Sequence, residues 1–185
     1  MTLGEGRRKV YMLLDEYSAG GVVTEDDDIK LKIADFFDIA QKDMANYKKI
    51  IRETELTITG AGDLLDLPER CEKVFRVWRD GELTRRYFQR AGKIGFPAFD
   101  DGVVTVEYFA VPQTIGPDTP DAYEFEVSED AAVCLPFFVA AQNLMPDLVV
   151  DYSAFLQTYL NLRNALDVTL PEGAGAGGVR QKLWR

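Results

Sequence analysis

Five carboxylates in one short stretch, Glu53, Glu55, Asp63, Asp66 and Glu69, are the residues whose type and number could do chemistry. A two-metal nuclease centre needs two or more carboxylates converging on one point, so that paired cations can clamp the attacking and leaving oxygens. Nothing in the linear spacing of these five brings them to a point. A solvated acidic loop is the commoner outcome, and a metal-dependent nuclease is the lesser alternative. Asp26-Asp27-Asp28 invites a second metal reading. The glycine and glutamate of an EF-hand loop are missing at the required offsets. Acidic residues in a first helical turn complement the helix dipole, which is the plainer account.

Other chemistry is thinner still. Gly173-Ala-Gly-Ala-Gly-Gly178 lacks the Lys-Ser/Thr, the preceding strand and the following helix of a phosphate loop, and reads as a tether. The chain has no histidine. It therefore lacks the commonest general base, and no Ser-His or Cys-His nucleophile can form within it. Cys71 and Cys134 lie far apart and read as two reduced, semi-buried thiols. No catalytic residue, metal ligand or cofactor is expected.

Two segments suit contact rather than catalysis. Arg85, Arg86, Arg90 and Lys93, with Tyr87 and Phe88 among them, form a basic and aromatic patch. It could meet nucleic acid or a subunit by charge and stacking. On a strand, alternate arginines simply face solvent or pair with carboxylates, and that reading is preferred. Arg180, Lys182, Leu183, Trp184 and Arg185 end the chain behind the glycine tether. A basic, tryptophan-bearing tail suits docking in an acidic groove, or it is a terminus without a role.

The elements that would position these residues follow from periodicity. Val10, Leu13, Leu14 and Tyr17 give a helix over 7–18, ended by Ser18-Ala-Gly-Gly21. Thr24 and Asp27 resemble a capping box ahead of a second helix over 25–51. Its core stripe holds Ile29, Ile33, Phe36, Phe37, Ala40, Met44, Tyr47 and Ile51, and Lys48, Lys49 and Arg52 close it. Period two then takes over. Strands are expected at 55–59, 71–78, 83–88 and 103–111, with Asp80-Gly81 and Asp101-Gly102 as turn signals and a second short strand before Ser128. Ser128 caps a helix over 129–144 that Pro136 kinks or splits. A last helix covers 150–166, with Tyr152, Phe155, Leu156, Tyr159 and Leu166 on one face.

The expected fold is α+β. The N- and C-terminal helices, in 7–53 and 128–168, form a helical bundle around a central antiparallel β insertion, 54–127, in a single domain over 1–170. Residues 171–185 form a flexible glycine-rich tail.

Composition bounds the function. The chain has 185 residues, 46% of them apolar, enough for one core. It shows no membrane-length apolar run and no signal-peptide pattern, so a soluble intracellular protein is expected. The formal charge is −10. That disfavours a tight grip on nucleic acid but suits a surface past which DNA slides.

Four stretches resemble small structural proteins of tailed bacteriophages. They are Lys9-Val-Tyr-Met-Leu-Leu-Asp-Glu-Tyr-Ser18, the block from Asp28-Ile29 through Asp35-Phe-Phe-Asp-Ile-Ala-Gln41, Val106-Glu-Tyr-Phe-Ala-Val-Pro112, and Asp130-Ala-Ala-Val-Cys-Leu-Pro-Phe-Phe-Val-Ala-Ala141. The family is the head-tail connector, or adaptor, proteins beneath the portal ring, and the resemblance covers most of residues 8–165. It implies a helical bundle, often with a β insertion, in a ring of copies on the portal. It also implies a docking C-terminal segment, here Arg180, Lys182, Leu183, Trp184 and Arg185. It carries no catalytic residues. The β module is larger than in the purely helical adaptors. The expected partners are portal, tail and neck proteins, with DNA passing unbound and no membrane. The expected location is the virion neck, and the host cytoplasm during assembly. A tail-completion protein of similar build is the neighbouring alternative.

Overall fold

The computed structural model describes residues 1–14, 27–99, 101–145 and 152–169. It is mixed α and β, in two compact units. Met1–Ile50 and Val111–Val168 make the first, and Ile51–Ala110 is the body of the second. Among the described residues no helix is long and apolar enough to cross a membrane.

The first unit is helical. Its elements are α1 (Leu3–Leu13), α2 (Asp27–Tyr47), the single turn α3 (Glu129–Ala132), α4 (Leu135–Leu144) and α5 (Ser153–Asn164). Helix α4 is central, and α1, α2 and α5 each pack on it. It is apolar around most of its surface because neighbours surround it. The stripe expected on α2 is real: Ile33, Phe37, Ala40 and Met44 are fully buried, against Val10, Leu135, Val139 and others. Pro136 stands in the first turn of α4, where its missing N–H costs nothing, so α3 and α4 are separate pieces.

Helix boundaries differ from the expectation. The first helix starts at Leu3, not residue 7, because Thr2 and Glu5 form a capping box. The Thr2 hydroxyl accepts the Glu5 N–H at 3.2 Å, and the Glu5 carboxylate accepts the Thr2 N–H at 2.9 Å. Helix α2 stops at Tyr47 rather than 51. Ile50 and Ile51 instead open a strand whose β-branched residues continue the alternation of 55–59. Lys48, Lys49 and Arg52 therefore do not close the helix. The last helix covers 153–164, inside the expected 150–166. Residues 15–26, with Ser18-Ala-Gly-Gly21 and the Thr24 cap, lie outside the described residues.

The second unit holds β1 (Ile50–Ile58), β2 (Leu64–Asp66), β3 (Cys71–Arg79), β4 (Glu82–Leu83), β5 (Phe88–Arg90), β6 (Lys93–Gly95) and β7 (Gly102–Ala110). One sheet has the order β1-β7-β3-β4 and the other β2-β6-β5. The pairs β3–β7, β3–β4, β2–β6 and β5–β6 are antiparallel. Both sheets feed one core, with Val74, Val77, Val104 and Val106 from the first and Ile94 from the second. Strand β7 shows the period-two pattern cleanly: Val104, Val106, Tyr108 and Ala110 are buried and their alternates are not.

Asp80-Gly81 turns the β3–β4 hairpin at φ 51° and 78°, the left-handed pair that a type I′ turn requires. The return strand is only Glu82–Leu83, not 83–88. After Thr84 the chain leaves that sheet, Tyr87 packs on Phe96, and Phe88 opens β5 in the other sheet. Asp101-Gly102 precedes β7 but joins no hairpin, since β6 and β7 belong to different sheets. The second tight hairpin, β5–β6, turns on Ala91-Gly92, at φ 48° and 76°.

The β segment ends at Ala110 rather than 127. The strand expected before Ser128 shrinks to one antiparallel bridge, Thr2 with Glu124. Phe125 and Val127 belong to the helical core, because the segment after Ala110 wraps back onto α1 and α2. The Leu3 N–H meets the Tyr123 carbonyl at 2.7 Å, and the Phe125 N–H meets the Met1 carbonyl at 3.3 Å.

Candidate functional site

The carboxylates do not form a centre. Glu53, Glu55, Asp63, Asp66 and Glu69 are all exposed. Asp63 accepts the Thr59 hydroxyl at 2.8 Å, and Asp66 pairs with Lys93 at 2.8 Å. Among the described residues no three Cys, Asp or Glu side chains gather in a way that could hold an ion. Asp27 and Asp28 open α2, and Asp26 lies outside the described residues. Both thiols are free. Burial first, and a neighbouring acid second (Glu72 for Cys71, Asp130 for Cys134), pushes each thiol up from its ordinary value. Both stay protonated at neutral pH, and a thiol in that state is a poor nucleophile.

The basic patch is assembled by the three-stranded sheet. Ladder register aligns Leu64 with Gly95 with Phe88, and Asp66 with Lys93 with Arg90. Alternation puts these two rows on one face and turns Ile94 into the core on the other. Arg85, Arg86 and Arg90 are exposed, Arg85 and Arg86 in the link just before β5, and Lys93 is half-buried beside Asp66. Gly95 lets the Phe88 ring lie close over the strand, since a Cβ there would stand 2.5 Å from the ring and the ring would have to move. The face is thus an apolar row beside a charged one, in which Asp66 pairs with Lys93 and Arg90 adds a further cation.

Sequence reasoning missed the buried polar residues. Arg76 is 8% exposed. Bulges in β3 at Glu72 and Phe75 bring it opposite Glu107. Its guanidinium lies 3.5 Å from the Glu107 carboxylate and 4.5 Å from the Phe75 ring centre, while the Trp78 indole N–H donates to Glu107 at 2.7 Å. A shallow concavity of about 520 Å³ opens here, lined by Ile51, Arg52, Glu53, Arg76, Glu107 and Tyr108. On its floor Arg76 and Glu107 offset each other's charge. The signal was weak, since Arg76 shares the stretch from Cys71 to Trp78 with two other charged residues, Glu72 and Lys73.

The helical unit holds two more such groups. Gln41 is fully buried on the α2 stripe. Tyr159, on α5, donates its hydroxyl to Asp43, which also accepts from Arg163 at 3.0 Å. A second concavity of about 520 Å³ lies along the connecting segment, between Gln113 and Tyr123. It is open, and no titratable cluster faces it. The expected docking residues Arg180, Lys182, Leu183, Trp184 and Arg185 lie outside the described residues.

Comparison of the sequence with protein-family models gives no match, and comparison with curated proteins gives none.

Proposed function

We propose that this chain is a structural head-tail connector protein of a tailed bacteriophage or prophage. It binds the portal ring, extends the DNA channel and offers the platform for the tail. The observation that carries the reading is the layout: the segments on either side of 51–110 make one helical unit, while 51–110 makes a separate β unit. In this reading α1, α2, α4 and α5 act as the helical bundle of an adaptor, and the β unit faces neighbours or the next tail component. The acidic balance supports a conduit that does not hold its cargo. The C-terminal residues 179–185 dock on the portal, and the protein resides in the virion neck.

The test is mass spectrometry of purified particles, followed by cross-linking. The protein is expected in particles, cross-linked to the portal, and deletion of residues 179–185 is expected to abolish portal capture. Absence from particles overturns the reading. Capture that survives the deletion overturns the role of the tail.

A further inference from the structure

The outer face of the β2-β6-β5 sheet carries a surface of two parts. Leu64 and Phe88 remain 42% and 41% exposed, separated by Gly95, their common neighbour in the ladder. The Phe88 ring lies over that glycine and is exposed on its outer side. Aromatic rings and arginines are the side chains that carry protein interfaces. Arg85, Arg86 and Arg90 supply the arginines, all exposed.

The same chain holds the complement. Residues 111–168 contain nine Asp or Glu against a single Arg. Six of the nine fall within 118–130, where there is no Lys or Arg. Asp121 is paired with Arg7 and Asp130 with Lys48. Asp118, Glu124 and Glu129 are exposed and form no ion pair among the described residues.

We propose that the Leu64–Phe88 face, with Arg90 on the neighbouring row and Arg85 and Arg86 in the link just before β5, seats on the 118–130 segment of a second copy of this chain. It rests on the connector reading for self-association and goes beyond it in naming the contact. The contact is heterologous, one surface meeting a different one, which is the kind that builds rings or filaments. Each copy is acidic overall, so attraction is local and is screened by salt. The exposed apolar pair Leu64 and Phe88 favours a protein partner over nucleic acid, which binds chiefly through its phosphates.

Sedimentation of the full chain tests it, with three variants checked for an unchanged circular dichroism spectrum and melting midpoint. The wild type is expected to associate at about 0.05 M salt and to weaken about tenfold at about 0.5 M. Phe88→Ser is expected to weaken association about tenfold, as loss of an interface anchor does. Arg85→Glu/Arg86→Glu/Arg90→Glu and Asp118→Lys/Glu124→Lys/Glu129→Lys are each expected to be monomeric alone. Mixed, they are expected to associate, since each keeps the surface the other has lost. A monomeric wild type, or an arginine variant that associates like wild type, overturns the contact. So does a labelled single-stranded oligonucleotide that binds the monomeric wild type and not the arginine variant. Portal capture by a monomeric wild type would overturn this contact and leave the connector reading standing. Association of a protein absent from particles would do the reverse.

Discussion

The Gln41 side chain accepts the backbone N–H of Glu126 at 2.9 Å while fully buried. Its amide nitrogen donates to the Gln113 carbonyl at 3.1 Å, and the Tyr123 hydroxyl donates to its oxygen at 3.3 Å. One side chain of α2 thus satisfies both ends of the segment that leads out of the β unit. Buried backbone groups must find partners, and here a glutamine takes the place of a sheet ladder. Asp38 does the same one turn earlier, accepting the Ile115 N–H at 3.0 Å.

Gln41→Leu fills the space but leaves the Glu126 N–H and the Gln113 carbonyl without this partner. A loss of about 1–2 kcal/mol is expected, since Gln113 is exposed and Glu126 half-buried, and water replaces part of what the glutamine supplies. Urea unfolding would show a lower midpoint with an unchanged slope. A midpoint equal to wild type would mean that the 113–126 segment is held by its backbone bridge to Thr2 instead.

Tyr159 is held protonated. Burial first, and then the hydrogen bond to Asp43, pushes its hydroxyl well above the ordinary tyrosine value. A group whose pKa is raised on folding contributes stability below its unfolded value, about 10, and loses it as pH climbs through the higher folded value. Tyr159→Phe is expected to cost about 1.5–3 kcal/mol at neutral pH, as one lost hydrogen bond to a charged group. The variant is also expected to fall off less steeply above about pH 10. Parallel alkaline curves for the two proteins would contradict this.

Asp130 behaves in the opposite sense. The Lys48 ammonium at 2.7 Å first, and the Ser128 hydroxyl second, hold its carboxyl at about 2. Its contribution is complete above the ordinary carboxylate value and fades as pH falls toward 2. The side chain is half exposed, so solvent screening keeps the effect below about 1 kcal/mol. Asp130→Asn is expected to flatten the acid limb of the stability curve and leave the alkaline limb unchanged.

Gly95→Ala would drive a methyl group into the Phe88 ring. The exposed ring can swing aside, so the expected cost is at most about 1 kcal/mol, the low end of the overpacking range. Gly95→Ala/Phe88→Ala should recover much of that cost, a non-additivity that denaturant titration of the four proteins would measure. Additive losses would show that the ring does not rest on the glycine.

Ala91 holds a left-handed φ of 48° in the β5–β6 turn, followed by Gly92 at 76°. Asn tolerates that conformation better than Ala, and Asn-Gly is the favoured pair for this turn. Ala91→Asn is expected to raise stability by about 0.5–1 kcal/mol. A lower melting midpoint would refute the turn assignment.

The missed elements share one cause. Ile51 fits the α2 stripe and the β1 alternation equally well, and pairing in the sheet, not local preference, places it in the strand. Residues 83–88 alternate as a strand should, yet the chain switches sheets after Thr84, which no period reveals. Tyr123 and Phe125 lie in an alternating run, but the termini of α1 and the face of α2 receive them before any second strand can. Gln41 stands beside the apolar stripe of α2 without indicating its partners, and Arg76 is one of three charged residues between Cys71 and Trp78, so neither announced its burial.

Local physics in the chain alone determined the alternation of helix and strand character, the buried stripe of α2, the break at Pro136, the Asp80-Gly81 turn and the acidic balance. Each depends on neighbours within a few residues, or on composition. The tertiary structure alone decided which strands share a sheet, where the β unit ends, and which buried polar groups face each other. It also decided that Phe88, Gly95 and Leu64 form one row. These depend on residues tens of positions apart, as with Gln41 and Glu126, whose hydrogen bond exists only once the chain has returned from the β unit.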